Sequence, residues 1–236
     1  MAARYRRSAL GMLWSLINPL VQLLVFVFLF QSVLKFQIAH YPVYVFCALL
    51  AWNWFNSSLT SATYTLYNNR DLMRKPAFPT ELLAIVSIGG SLVNYLAAIP
   101  LLVGFMLLSG IGISAAILAF PAILIVQFLF TCGLCWFVSI LNVYYRDVEQ
   151  FVFIGLGFWF YMTPIFYQTN GISSRYHVLY ELNPMAQLMG AYRGAFGVGT
   201  FPGLLAMLGV LGMSTILFLA GLWFFKRFKD EVIDEL

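Results

Sequence analysis

The chain has 236 residues, 62% hydrophobic and only 9% charged, with a net charge of +4. About a quarter of the residues of a soluble domain are charged, so a chain this poor in charge, with a mean hydropathy of +0.87, is solvated largely by lipid. Its basic residues cluster at the ends of apolar runs, which suits anionic headgroups and argues against a surface that tracks nucleic-acid phosphates.

In chain order, Arg4, Arg6 and Arg7 precede a first apolar run, 16–34. No small-residue cleavage site follows before Lys35, so this run is expected to persist as a membrane span. A span needs about 20 mainly apolar residues. Further stretches at 41–61, 82–108, 113–141, 151–167 and 201–225 meet or approach that length. The fifth is short and is weakened by Gly155, Gly157 and Pro164. The predicted fold is an all-α integral membrane protein: one transmembrane domain over 1–236, with six helices.

Polar breaks separate the runs. Residues 68–81 carry charges and two prolines, Pro76 and Pro79; Thr80 followed by Glu81 predicts a capped start to the third helix. Ser109 to Gly112 predicts a tight turn, and 142–150 a polar connection. Within the long connection 168–200, the stretch 182–196 is half apolar, with Met185, Leu188, Met189, Tyr192 and Phe196. That pattern predicts a helix in the interface or a re-entrant pair rather than a solvated loop.

Placing the N-terminus inside puts ten Lys and Arg residues on the inner side, and leaves only Lys35, Arg175 and Arg193 outside. The asymmetry predicts that both termini are cytoplasmic.

The acidic residues fall at span ends or in loops, whereas ion-coupled carriers commonly hold an ionisable group within the membrane. Only His40 and His177 are present, both expected near the outer surface. Glu181, four residues beyond His177, makes a catalytic dyad conceivable, with interfacial polar residues as the simpler reading. Cys132 and Cys135 form a C-x-x-C pair without neighbouring histidine or carboxylate and read as packing residues. No metal-ligand cluster and no G-x-x-x-x-G-K-[ST] occurs. No cofactor is expected in this chain, and if ATP drives it, ATP and Mg²⁺ are bound by a separate polypeptide.

Residues 4–20 read RYRRSALGMLWSLINPL: a basic cluster, a Gly-x-x-Trp turn, then Asn-Pro. Residues 69–82 read NRDLMRKPAFPTEL and 142–148 read NVYYRDV; Pro164–Tyr167, Asn183-Pro184 and Tyr192-Arg193 follow in order. With these segments the chain closely resembles the ABC type-2 permease subunits of polysaccharide-exporting ABC transporters, the group that handles O-antigens, capsules and teichoic acids. Family members usually begin with a longer amphipathic segment; here Met1-Ala2-Ala3 precede the Arg-Tyr motif.

The resemblance implies a homodimer of six-span subunits in the bacterial cytoplasmic membrane. Two ATPase subunits would join it, and ATP would drive a lipid-linked glycan outward. It implies a coupling helix between spans 2 and 3, with Arg70, Asp71, Leu72, Met73, Arg74 and Lys75 docking on the ATPase and Arg146 and Asp147 nearby. Arg4, Tyr5, Arg6, Arg7, Trp14, Asn18 and Pro19 are the candidate headgroup and substrate-intake residues. The arginines suit phosphate through their planar donor fork, although clusters of this kind also serve topology alone. Gln22, Phe26, Phe30, Trp159 and Tyr161 are candidates for a glycan path, against a plain packing role. A membrane-embedded transferase acting on lipid-linked sugars through His177 and Glu181, or a drug- or lipid-exporting relative, is the alternative.

Overall fold

A computed structural model of the chain describes residues 14–75, 78–169 and 174–235. Among these the regular structure is all helical. α1 (Trp14–Phe26) runs into a π-helical segment, Val27–Val33, and is followed by α2 (Tyr41–Asn68), α3 (Arg70–Met73) and α4 (Leu82–Leu108). A 3₁₀ turn, Ala115–Ala119, opens α5 (Phe120–Tyr144); then come α6 (Val148–Met162), α7 (Ser174–Glu181), α8 (Pro184–Ala195) and α9 (Leu204–Glu235).

Among the described residues, four stretches are long and apolar enough to cross a membrane: Leu16–Val33, Leu82–Leu108, Ala115–Tyr144 and Leu204–Val232. α6 is apolar but shorter. α2 has 28 residues, about 42 Å at 1.5 Å each, which is ample length. Asn53, Asn56, Ser57, Ser58, Thr60 and Ser61 make its middle too polar to join the four.

The helix ends differ from the predicted ones where local chemistry or tertiary contacts decide. The third span, 82–108, coincides with α4. The fourth begins later and ends later: Ser114 caps the 3₁₀ turn by accepting from Ala116 N–H at 3.1 Å, and the helix continues to Tyr144. The fifth stops at Met162, just before Pro164, instead of reaching 167. The sixth extends past the apolar run to Glu235, with Arg227 and Glu231 paired one turn apart at 3.9 Å. The expected Thr80 side-chain cap is not formed; its buried hydroxyl has no partner among the described residues, and Leu83 N–H donates to the Thr80 carbonyl instead.

The described residues pack into two units. The first takes the chain up to Asn53 with Leu92–Phe120 and Thr163–Pro202. Its core gathers the start of α2 (Tyr41, Val45, Phe46) with Leu102, Met106, Leu188 and Met189, all essentially inaccessible. Tyr95, Phe120, Tyr192 and Phe196 form an aromatic cluster with ring centroids 5.4–6.3 Å apart.

The second unit comprises Trp54–Ser91, Pro121–Met162 and residues from Gly203. Trp54, Phe55, Leu66, Ile88, Trp136 and Phe225 fill its core. α5 and α9 touch backbone to backbone: a Cβ on Gly133 would lie 2.5 Å from the Leu217 carbonyl oxygen, and one on Gly221 would strike the backbone of Gly133. Only glycine permits that crossing. Cys132 and Cys135 are buried beside it as free thiols.

Candidate functional site

Four residues make α3 too short to be held by its own hydrogen bonds, so its neighbours hold it. Asn69 precedes it: its carbonyl accepts from Leu72 N–H at 2.9 Å and Met73 N–H at 3.2 Å, while its amide reaches back to the Thr65 carbonyl at 2.8 Å. Met73 is the anchor, 3% exposed. Arg70, Asp71, Arg74 and Lys75 remain exposed, with Leu72 half-buried. The segment where the resemblance implies a coupling helix is therefore a short helix with a sunken methionine and four outward charges.

The end of α2, from which α3 springs, is tied to its surroundings within the same unit. Asn142 on α5 is buried and donates through its side-chain amide to the Thr63 carbonyl at 2.8 Å. The Tyr67 hydroxyl donates to the Val143 carbonyl at 3.4 Å, and the Tyr64 hydroxyl to the carboxylate of Glu149 on α6. Thr65 and Ser87 share a hydrogen bond of 2.9 Å, and Trp136 donates to the Glu81 carbonyl at 3.1 Å. Arg146 and Asp147 lie exposed in the turn between α5 and α6; among the described residues the recorded ion pair is Arg227–Glu231 alone. These hydrogen bonds tie the end of α2, beside α3, to α4, α5 and α6.

The first unit holds a feature that charge counting missed. Arg193, counted in the sequence as one of three outer cations, is 5% exposed. Its Nε donates to the Tyr44 carbonyl at 3.3 Å and its Nη2 to the Ile165 carbonyl at 2.7 Å, and its guanidinium carbon sits 3.6 Å from the centroid of the Tyr44 ring. Asn183-Pro184 fixes the start of α8: the Asn183 side-chain oxygen accepts from Met185 N–H at 3.1 Å and Ala186 N–H at 3.4 Å, with proline in the first turn. The turn at Thr163–Tyr167 is bound by Asn183 to Thr163 at 3.1 Å, Tyr41 to the Phe166 carbonyl at 3.0 Å and Tyr44 to the Tyr167 carbonyl at 3.1 Å. A cavity of about 440 Å³ opens beside it, lined among others by Gln168, His177, Tyr180, Glu181, Gln187 and Arg193. His177 and Glu181 are both exposed on α7.

The remaining candidates are dispersed. Arg4, Tyr5, Arg6 and Arg7 lie outside the described residues. Trp14 opens α1 as described, and Pro19 lies within the helix instead of starting it, next to exposed Asn18. Gln22 is exposed and accepts from the Asn53 amide at 3.0 Å. Phe26 and Phe30 pack on Phe166, at 5.1 and 4.9 Å between centroids, in the first unit. Trp159 packs edge-on against Phe55 and Phe130 in the second unit, and Tyr161 there is exposed.

Long apolar helices, with a short charged helix between α2 and α4, make this a helical membrane protein. The profile of the ABC-2 type transporter family matches residues 1–197. The chain belongs to that family. It is 30% identical over 236 residues to the O-antigen export system permease protein RfbA of Myxococcus xanthus, covering 99% of this chain and 91% of the relative. Two O-antigen export system permease proteins RfbA from Klebsiella pneumoniae are 33% and 31% identical, covering 84% and 96% of this chain and 76% and 87% of theirs.

Proposed function

We propose that the chain is the transmembrane subunit of an ATP-driven exporter that carries a polysaccharide, attached to a lipid, out through the bacterial cytoplasmic membrane. The family and the O-antigen export relatives support the substrate class. The observation that carries the mechanism is α3: a helix pinned by Met73 and presenting Arg70, Asp71, Arg74 and Lys75 is built to be gripped and pushed. In this reading two copies associate, and each α3 docks on one of two ATPase subunits, with Arg146 and Asp147 beside it. ATP and Mg²⁺ are bound by those partners.

The topology proposed is six spans with both termini cytoplasmic, the four long apolar stretches being completed by α2 and α6. α7 and α8 then form the re-entering segment on the outer side, held shut on α2 by Arg193. Arg4, Tyr5, Arg6, Arg7, Trp14, Asn18 and Pro19 stand where the lipid headgroup is taken up. Gln22, Phe26, Phe30, Trp159 and Tyr161 remain candidates for the path.

Cells lacking the chain test this reading. Surface polysaccharide is expected to disappear while lipid-linked glycan accumulates inside, with both restored by the intact chain; unchanged surface polysaccharide would refute it. The cavity beside His177 and Glu181 favours a second reading, a transferase acting on lipid-linked sugars. His177→Ala separates the two, since a transferase loses nearly all activity and an exporter loses little.

A further inference from the structure

The most polar stretch of α2 is also the part left uncovered. Asn56, Ser57, Thr60 and Tyr64 recur at the three- and four-residue spacing that places side chains on one helix face. Ser57, Thr60 and Tyr64 are exposed, Tyr64 at 40%, and Asn56 is half-exposed. On the six-span reading Thr60 lies about 28 Å along the helix from Tyr41, inside a hydrocarbon layer about 30 Å thick. Asn56, Ser57 and Thr60 thus occupy the inner half of a span, with Tyr64, about 34 Å from Tyr41, at its inner end, and they face outward from this subunit.

Lipid does not explain them. Hydroxyls elsewhere on the helices are satisfied by their own backbone: Ser58 bonds the Trp54 carbonyl at 2.7 Å, Thr65 that of Ser61 at 2.7 Å, and exposed Thr215 on α9 that of Leu211 at 2.8 Å. The side chains of Asn56, Ser57 and Thr60 make no such bond among the described residues. A primary amide facing hydrocarbon leaves several donor and acceptor sites unsatisfied at once. The stripe ends on Tyr64, whose hydroxyl donates to Glu149. It thus offers neutral donors and acceptors, one aromatic ring and a carboxylate. That set matches the hydroxyls and C–H faces of a sugar chain with its water, and contains no cation for a phosphate.

We infer that the Asn56–Ser57–Thr60–Tyr64 face of α2, with Glu149, is the inner-half wall along which a hydroxyl-rich glycan travels. The inference rests on the export reading and assigns the path to residues other than the aromatic candidates of α1 and α6.

The test uses the complete transporter, ATPase subunits included, in inverted membrane vesicles. Ser57→Cys and Thr60→Cys are treated with a membrane-impermeant maleimide; the native Cys47, Cys132 and Cys135 are buried, which keeps background low. Both new thiols should label, and labelling should fall at least twofold when lipid-linked glycan is loaded. Thr60→Leu should lower export at least tenfold while ATPase assembly is unchanged. Failure of either thiol to label, export by Thr60→Leu at the native rate, or oxidation of Ser57→Cys to a covalent dimer (a second copy then covers the stripe) overturns the assignment. If the native complex moves no glycan, the export reading fails, and labelling still decides whether the stripe faces water.

Discussion

The guanidinium of Arg193 lies 3.6 Å above the ring of Tyr44, with the Tyr44 and Ile165 carbonyls accepting its N–H groups. No carboxylate stands within ion-pair distance of it among the described residues. One cation thereby joins the end of α8 to the start of α2 and to the turn after α6. Lysine has neither the fork for two carbonyls nor the flat face for the ring. Arg193→Lys should therefore destabilise the purified protein by on the order of 2 kcal/mol, read as a lowered melting temperature in detergent. A melting temperature unchanged from the native protein would show that the fork is dispensable.

The crossing of α5 and α9 leaves no room for a methyl group. Gly133→Ala should cost about 1–3 kcal/mol by forcing the helices apart, and Gly221→Val more. Thermal unfolding of the two variants checks this, with Gly155→Ala on α6 as the control, because a Cβ there meets nothing within 4 Å.

What the sequence discloses follows the range of the interaction concerned. α4 was legible to the residue because an unbroken apolar run between polar loops is a local signal. The start of α8 was equally local, since Asn183-Pro184 carries its own cap. The short helix after α2 was marked by the pair Leu72-Met73 set between charged pairs. Arg193 was not legible: a basic residue in a connection counts toward topology, and its burial depends on carbonyls 28 and 149 positions away. The polar face of α2 was spelled out in the sequence, but which of its hydroxyls are left unpaired emerges only once the helix is packed.

Removing the cap of α8 isolates a local contribution. Asn183→Ala frees the N–H groups of Met185 and Ala186 and deletes the bond to Thr163. The loss should be about 1 kcal/mol, measurable as a modest fall in melting temperature. A larger collapse would mean that the Thr163 bond carries the turn.

The outward charges of α3 should matter to a partner and not to the fold. Replacing Arg70, Asp71, Arg74 and Lys75 by serine, with Met73 kept, should leave the yield of folded protein unchanged and abolish co-purification with the ATPase subunit. Raised salt should weaken the native complex in the same direction, since exposed charges are screened over about 10 Å at 0.1 M. Full recovery of the ATPase with the serine variant would remove α3 from the coupling site.

The proposed dependence of the chain on an external motor is tested most directly in liposomes. Reconstituted with its ATPase subunit and lipid-linked glycan, the protein should move glycan across the bilayer only when ATP is supplied, and omitting the ATPase should stop movement altogether. Sustained glycan pumping by this chain alone would contradict the account.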